Sequence, residues 1–132
     1  MIRLANLTKD FPSPDGHPLR VLEGIDLLLP ASASLAVEGP SGSGKSTLLG
    51  ILAGLERPTE GRVEVAGVDL RTLTERQLAA FRARTLGFVF QAFHLLQHFS
   101  ALQNVVIAAE IAGLPDPLPR SREALARVGL ED

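Results

Sequence analysis

Cysteine, tryptophan and tyrosine are absent from the 132 residues, and only six phenylalanines supply aromatic side chains. Without cysteine there can be no disulfide and no thiolate metal site, which fits a reducing compartment. No apolar run approaches the roughly 20 residues that a membrane span needs. Even the stretch Ile25 to Pro30 is interrupted by Asp26. The N-terminus, Met1-Ile2-Arg3-Leu4-Ala5-Asn6, has no signal-peptide pattern. Any role at a membrane would therefore run through a partner. Charge of one sign is also lacking. Thirteen basic against fifteen acidic side chains leave a net charge of −2, so neither a nucleic-acid partner nor a basic one is implied. Internal repeats and low-complexity tracts are missing too.

What is there is an ordinary globular composition, 45% hydrophobic and 21% charged. Ile2 to Leu7 alternates apolar and polar residues and predicts a half-buried strand. Phe11 to Pro18, rich in proline and containing Asp15-Gly16, predicts a turn. Val21 to Leu29 is a second strand candidate, and Ser34 to Glu38 a short strand running into Gly39. From Ser46, Leu48, Leu49, Leu52 and Leu55 fall at helical spacing, with Gly54 and Pro58 marking the end. Gly61 to Gly67 alternates again. Thr74 with Gln77 forms a capping-box start for a helix to about Ala83. Leu86 to Phe90 is apolar on both faces, as a buried strand should be. Asn104 to Ile111 reads as a helix, Leu114 to Pro119 with its three prolines as a loop, and Ser121 to Ala124 as the opening of a last helix ended by Gly129. The mixture predicts an α/β fold in which an antiparallel strand group lies beside the core.

The most informative segment is Gly39-Pro40-Ser41-Gly42-Ser43-Gly44-Lys45-Ser46-Thr47. It satisfies G-x-x-x-x-G-K-[ST] in full, between a predicted strand and a predicted helix. Glycines let the backbone bend tightly and approach phosphate with no Cβ in the way. The turn then aims successive N–H groups inward at a helix N-terminus, forming an anion nest. Lys45 brings a positive charge to the β- and γ-phosphates. Ser46 offers a hydroxyl to Mg²⁺, and Thr47 a contact nearer the ribose. The ligand expected is ATP or a close relative, with Mg²⁺.

On these residues the sequence resembles the ATP-binding subunit of ABC transporters. Similar segments follow: Gly54-Leu55-Glu56-Arg57-Pro58-Thr59-Glu60-Gly61, Leu86 to Leu96 around Gln91, and Ser100-Ala101-Leu102-Gln103-Asn104-Val105. They look like the branch that powers lipoprotein release and macrolide-type export. The resemblance runs from Ile2 to Asp132 and implies a P-loop NTPase core with antiparallel strands at the N-terminus. It makes Phe11 the aromatic that stacks on adenine, where the family more often has tyrosine; a packed core phenylalanine is the other reading. It makes Gln91 a contact to Mg²⁺ and the attacking water. It assigns Ala92 to Asn104 to docking on a transmembrane permease subunit, with Phe93, Leu95, Leu96 and Phe99 as interface. Gln103 stands where the family usually has glutamate. The resemblance also implies a homodimer of ATP-binding subunits, cytoplasmic and peripheral on the inner face of the cell membrane.

The same resemblance defines what residues 1–132 lack. No Leu-Ser-Gly-Gly-Gln signature occurs, and no strand ending in Asp followed by a catalytic Glu. Asp69 follows a hydrophobic run, but Leu70 comes next, and the position matches the family's early β-hairpin. A switch histidine is missing as well. The chain thus reads as the N-terminal part of one ABC-type ATP-binding domain, an incomplete ABC ATPase fold that supplies the phosphate loop and Gln91 and contains no catalytic residue. A fragment of a longer ATPase and a truncated product that binds nucleotide without hydrolysis both remain open, and another P-loop enzyme such as a small kinase is a more distant reading. His94 and His98, four apart, would share a face if helical, but no third metal ligand accompanies them. Arg76, Arg82 and Arg84 read as a solvated helix face. Arginine outnumbers lysine eleven to two, a compositional bias.

Overall fold

The computed structural model describes residues 1–130. Glu131 and Asp132, with which the expected domain ends, lie outside the described residues. The chain forms two compact units, 1–85 and 86–132.

The first unit is built on a four-stranded antiparallel sheet of order β2-β1-β3-β4. Its strands are β1 (Ile2–Phe11), β2 (Leu19–Leu29), β3 (Glu60–Val65) and β4 (Val68–Asp69). β1 is longer than its alternation predicts because it bends. Asn6 adopts φ 47°, and the register with β2 shifts between Leu4 and Leu7, the signature of a bulge. The Asn6 amide donates to Asp26 Oδ1 at 2.9 Å. Gly61 is required where β3 passes this bend. A β-carbon there would collide with the backbone of Asn6 and Ala5, and its φ of +85° disfavours any other residue. The β3–β4 hairpin turns through Ala66 and Gly67, both at positive φ, as a two-residue hairpin turn requires. Asp69 lies in this early hairpin, as the resemblance implies. Its carboxylate accepts from the Arg71 amide and so caps a short 3-10 turn, Leu70–Thr72.

Helix α1 (Lys45–Leu52) lies against β2 and β3. Leu4, Leu7, Leu22, Leu48, Ile51, Val63, Val65, Leu70 and Leu78 are buried in this unit. Fully burying each large aliphatic side chain contributes about 1.5–3 kcal/mol. Leu49 and Leu55, on the predicted apolar stripe, are exposed instead, so the buried stripe of α1 is narrower than its leucine spacing suggests. Helix α2 (Glu75–Thr85) starts at the predicted capping box. The Thr74 amide donates to Gln77 Oε1 at 2.9 Å, and the Gln77 amide reaches Thr74 Oγ1 at 3.4 Å. Arg57 clasps Glu75 through two nitrogens at 2.9 and 2.7 Å, and Arg82 donates to the Gly54 carbonyl at 2.8 Å. Both contacts fasten α2 to the end of α1.

The second unit is a helical hairpin of α3 (Ala101–Ile111) and α4 (Pro117–Ala126) preceded by irregular chain. α3 begins earlier than its periodicity indicates, because Ser100 and Gln103 form a reciprocal capping box. Gln103 is thereby a cap residue, a role that glutamine fills as well as glutamate. The expected loop at Leu114 to Pro119 is in part helix: α4 starts at Pro117. Prolines in a first turn cost nothing in hydrogen bonding, since those amides have no helical acceptor.

Two expected strands do not form. Residues 34–38 and 86–90 join no ladder among the described residues. A strand exists only when a neighbour accepts its N–H groups and donates to its carbonyls, and neither segment has one there. The expectation that 86–90 is buried is overturned too: Val89 is 96% exposed, with Phe88 and Phe90 also exposed. His94 and His98 lie in irregular chain, so they share no helix face; the His94 ring instead packs on Phe90, centroids 4.7 Å apart.

Candidate functional site

The segment from Gly39 to Thr47 turns sharply into α1. Gly39, Gly42 and Gly44 all have positive φ, and Gly44 is the N-cap at φ 87°. At Gly44 a β-carbon would come within 2.7 Å of Leu22 Cδ2 and 2.9 Å of the Val21 carbonyl oxygen. The loop therefore rests directly on β2, and only glycine permits both the turn and that approach. A cavity of about 260 Å³ beside it is lined by Leu22, Ile25, Val37, Glu38 and Leu48 together with loop residues.

Among the described residues, the amides of Gly42, Gly44, Lys45, Ser46 and Thr47 meet no hydrogen-bond acceptor. Those of Gly44 to Thr47 are the orphan donors of a helix N-terminus, that of Gly42 belongs to the turn before it, and together with the helix dipole they suit an anion. Lys45 supplies a full charge. Its Nζ donates to the carbonyls of Gly39 at 2.9 Å and Pro40 at 2.6 Å and to Ser43 Oγ at 3.4 Å, which holds the ammonium across the loop. Ser46 is exposed at the start of α1, and Thr47 is half-buried. A polyphosphate fits this donor set: amides, a cation and hydroxyls, with no carboxylate in the loop.

Phe11 ends β1 in the same unit and pairs with Leu19 of β2, three residues from the Leu22 that touches the loop. Its ring is half-buried, and Lys9 Nζ lies 4.6 Å from its centroid. Arg20 grips Asp10, the neighbour of Phe11, through Nε at 2.9 Å and a second nitrogen at 3.2 Å. Hydrogen bonding to Arg20 holds the Asp10 carboxyl below its ordinary value of 3.8.

Gln91 lies in the second unit, exposed, after the unpaired segment 86–90. Phe93, Leu95, Leu96 and Phe99 are exposed there as expected, Phe93 at 90%. The organiser of this segment is Asn104. Its Nδ2 donates to the carbonyls of Leu96, Phe99 and Ser100 at 3.2, 3.2 and 3.0 Å, and its Oδ1 accepts from the Leu96 amide at 2.8 Å. This role leaves no mark in the sequence, because a helix periodicity carries no sign of a side chain reaching back to the preceding loop. Among the described residues no group of three or more His, Asp or Glu is placed to hold a metal, and no helix is long and apolar enough to cross a membrane.

Fold and loop together define a nucleotide-binding class of protein, and comparison with known families narrows it. The family described as "ABC transporter" matches residues 22–132. The chain belongs to that family. It is 45% identical, over its whole length and 60% of the relative's, to the lipoprotein-releasing system ATP-binding protein LolD of Syntrophus aciditrophicus. It is 43% identical, over its whole length and 20% of the relative's, to the macrolide export ATP-binding/permease protein MacB of Salmonella typhimurium. Among solved structures it resembles the dimeric post-hydrolysis state of the ATP-binding cassette MJ0796 bound to ADP and Pi. The TM-score is 0.90 at 31% identity, covering all of this chain and 59% of that one. The fold is thus that of the ABC ATPase cassettes, and the chain spans about 60% of the length of LolD.

Proposed function

We propose that residues 1–132 are the N-terminal part of one ABC-type ATP-binding domain and supply the phosphate-binding half of its nucleotide site. The observation that carries this is the loop Gly39 to Thr47, with amides that meet no acceptor where α1 begins and the Lys45 ammonium held on the loop's own carbonyls. Gly39 to Gly44 cradle the phosphates, Lys45 neutralises them, Thr47 contacts those nearer the ribose, and Phe11 stacks on adenine. Ser46 offers its hydroxyl to Mg²⁺, which when bound offsets charge on the β- and γ-phosphates. For Gln91 a contact to Mg²⁺ and water rests on the sequence resemblance.

In the intact assembly this domain works as a homodimer and couples ATP binding and hydrolysis to export or lipoprotein release. The transmembrane permease subunit docks near Ala92 to Asn104, which keeps the domain on the cytoplasmic face of the membrane. The exposed Phe93, Leu95, Leu96 and Phe99 support that reading, because apolar surface of this kind marks partner sites. Residues 1–132 offer no carboxylate in the role of general base. Since such a group contributes about 10²–10⁴ in rate, they bind ATP without turning it over appreciably. The test is calorimetric titration with Mg-ATP alongside a phosphate-release assay. Wild-type chain binds, the Lys45→Ala variant loses at least about tenfold in affinity, and the two release phosphate equally slowly. Equal ATP affinity in both would refute the site.

A further inference from the structure

Lys9 is spent on neither solvent nor phosphate. It stands two residues before Phe11 on β1, a spacing that puts both side chains on one face of the strand. Its side chain is only 13% exposed. Nζ donates to Glu56 Oε2 at 2.9 Å and to the Arg57 carbonyl at 2.8 Å, while lying 4.6 Å from the centre of the Phe11 ring. Glu56 and Arg57 follow the end of α1, the helix that the phosphate loop opens. Arg57 is itself held by Glu75, and Thr59 fastens the same segment to β1 through the Asp10 amide at 2.9 Å.

From this geometry we infer that Lys9 is a positioning residue for base recognition: it covers one face of Phe11, fixes the ring, and leaves the opposite face as the platform for an aromatic base. The inference rests on the nucleotide reading above and deepens it. A cation on a ring face is attracted by the ring quadrupole, more strongly when partly desolvated. Because the ammonium is pinned by two oxygens, the ring it touches is pinned as well. A base then meets a platform already oriented and need not order it on binding. The tie also spans the unit from the base platform to the far end of the phosphate helix, so both halves of the ligand meet one rigid piece.

The test compares ATP with inorganic tripolyphosphate, which has the charges but no base, by calorimetry on the 132-residue chain. Lys9→Met keeps the stem and removes the charge; Lys9→Arg restores a cation. The expected result is that Lys9→Met weakens ATP about three- to tenfold, leaves tripolyphosphate unchanged, and has no further effect once Phe11 is alanine, while Lys9→Arg recovers most of the loss. If Lys9→Met weakens both ligands alike, or neither, the positioning role is overturned while the phosphate site stands. If wild-type chain binds neither ligand, the nucleotide reading fails and this inference with it.

Discussion

At Gly44 a side chain would run into Leu22 and the Val21 carbonyl, and φ is +87°. At Gly67 φ is almost the same, +81°, but no atom lies within 4 Å of where a β-carbon would sit. Gly67→Ala should therefore cost only the conformational strain, about 1 kcal/mol. Gly44→Ala should cost more, about 2–4 kcal/mol, and should abolish ATP binding; urea unfolding of the two variants measures the difference. Asp10 offers a test in pH. Arg20 holds its folded-state carboxyl below 3.8, so the folded chain binds that proton less readily than the unfolded chain. The contribution to stability is complete above the unfolded value and disappears as pH falls through the folded one. Unfolding midpoints followed between about pH 2 and 6 should drop on the acid side in wild type, and Asp10→Asn should flatten that limb.

Single elements show which parts of the fold could be read from sequence. β1, β2, β3, α1 and α2 were legible because their signals are local, such as alternation in Gly61 to Val65, leucine spacing after Ser46, and the Thr74–Gln77 box, whereas the two residues of β4 are too few to show a period. The starts of α3 and α4 were not legible, because caps and first-turn prolines override periodicity. The apolar runs at 34–38 and 86–90 form no strand, because a strand depends on a partner elsewhere in the chain, which apolar content cannot reveal. The glycines of the phosphate loop and the helix after it were legible, but the strand expected before it at 34–38 does not form, and the loop's close approach to Leu22 and Val21 was not legible because it joins residues far apart in sequence. The links from Lys9 to Glu56 and from Asn104 to Leu96 were invisible, because they join residues far apart in sequence or reach back across a helix start. Asn104→Ala should release the segment before α3, costing about 1–3 kcal/mol in unfolding free energy and accelerating hydrogen exchange at the Leu96 amide, with α4 unaffected. Equal exchange in variant and wild type would deny Asn104 that task.

Over the whole molecule, apolar exposure is concentrated in the second unit, from Phe88 to Phe99. Surface of this kind associates unless a partner covers it. The isolated chain should self-associate as concentration rises, seen by sedimentation velocity, and replacing Phe93 and Leu95 by serine should reduce that association without changing ATP affinity. An unchanged sedimentation profile would show that this surface is not what drives association. In the first unit, a loop of unpaired amides at the head of α1 receives a polyphosphate. The most direct measurement is an amide nitrogen–proton correlation spectrum of the ¹⁵N-labelled chain titrated with Mg-ATP. Large shifts are expected at Gly42, Gly44, Lys45, Ser46 and Thr47, and their loss at the same ATP concentration in Lys45→Ala. Saturable binding that leaves those five amides unmoved would contradict that role of the loop.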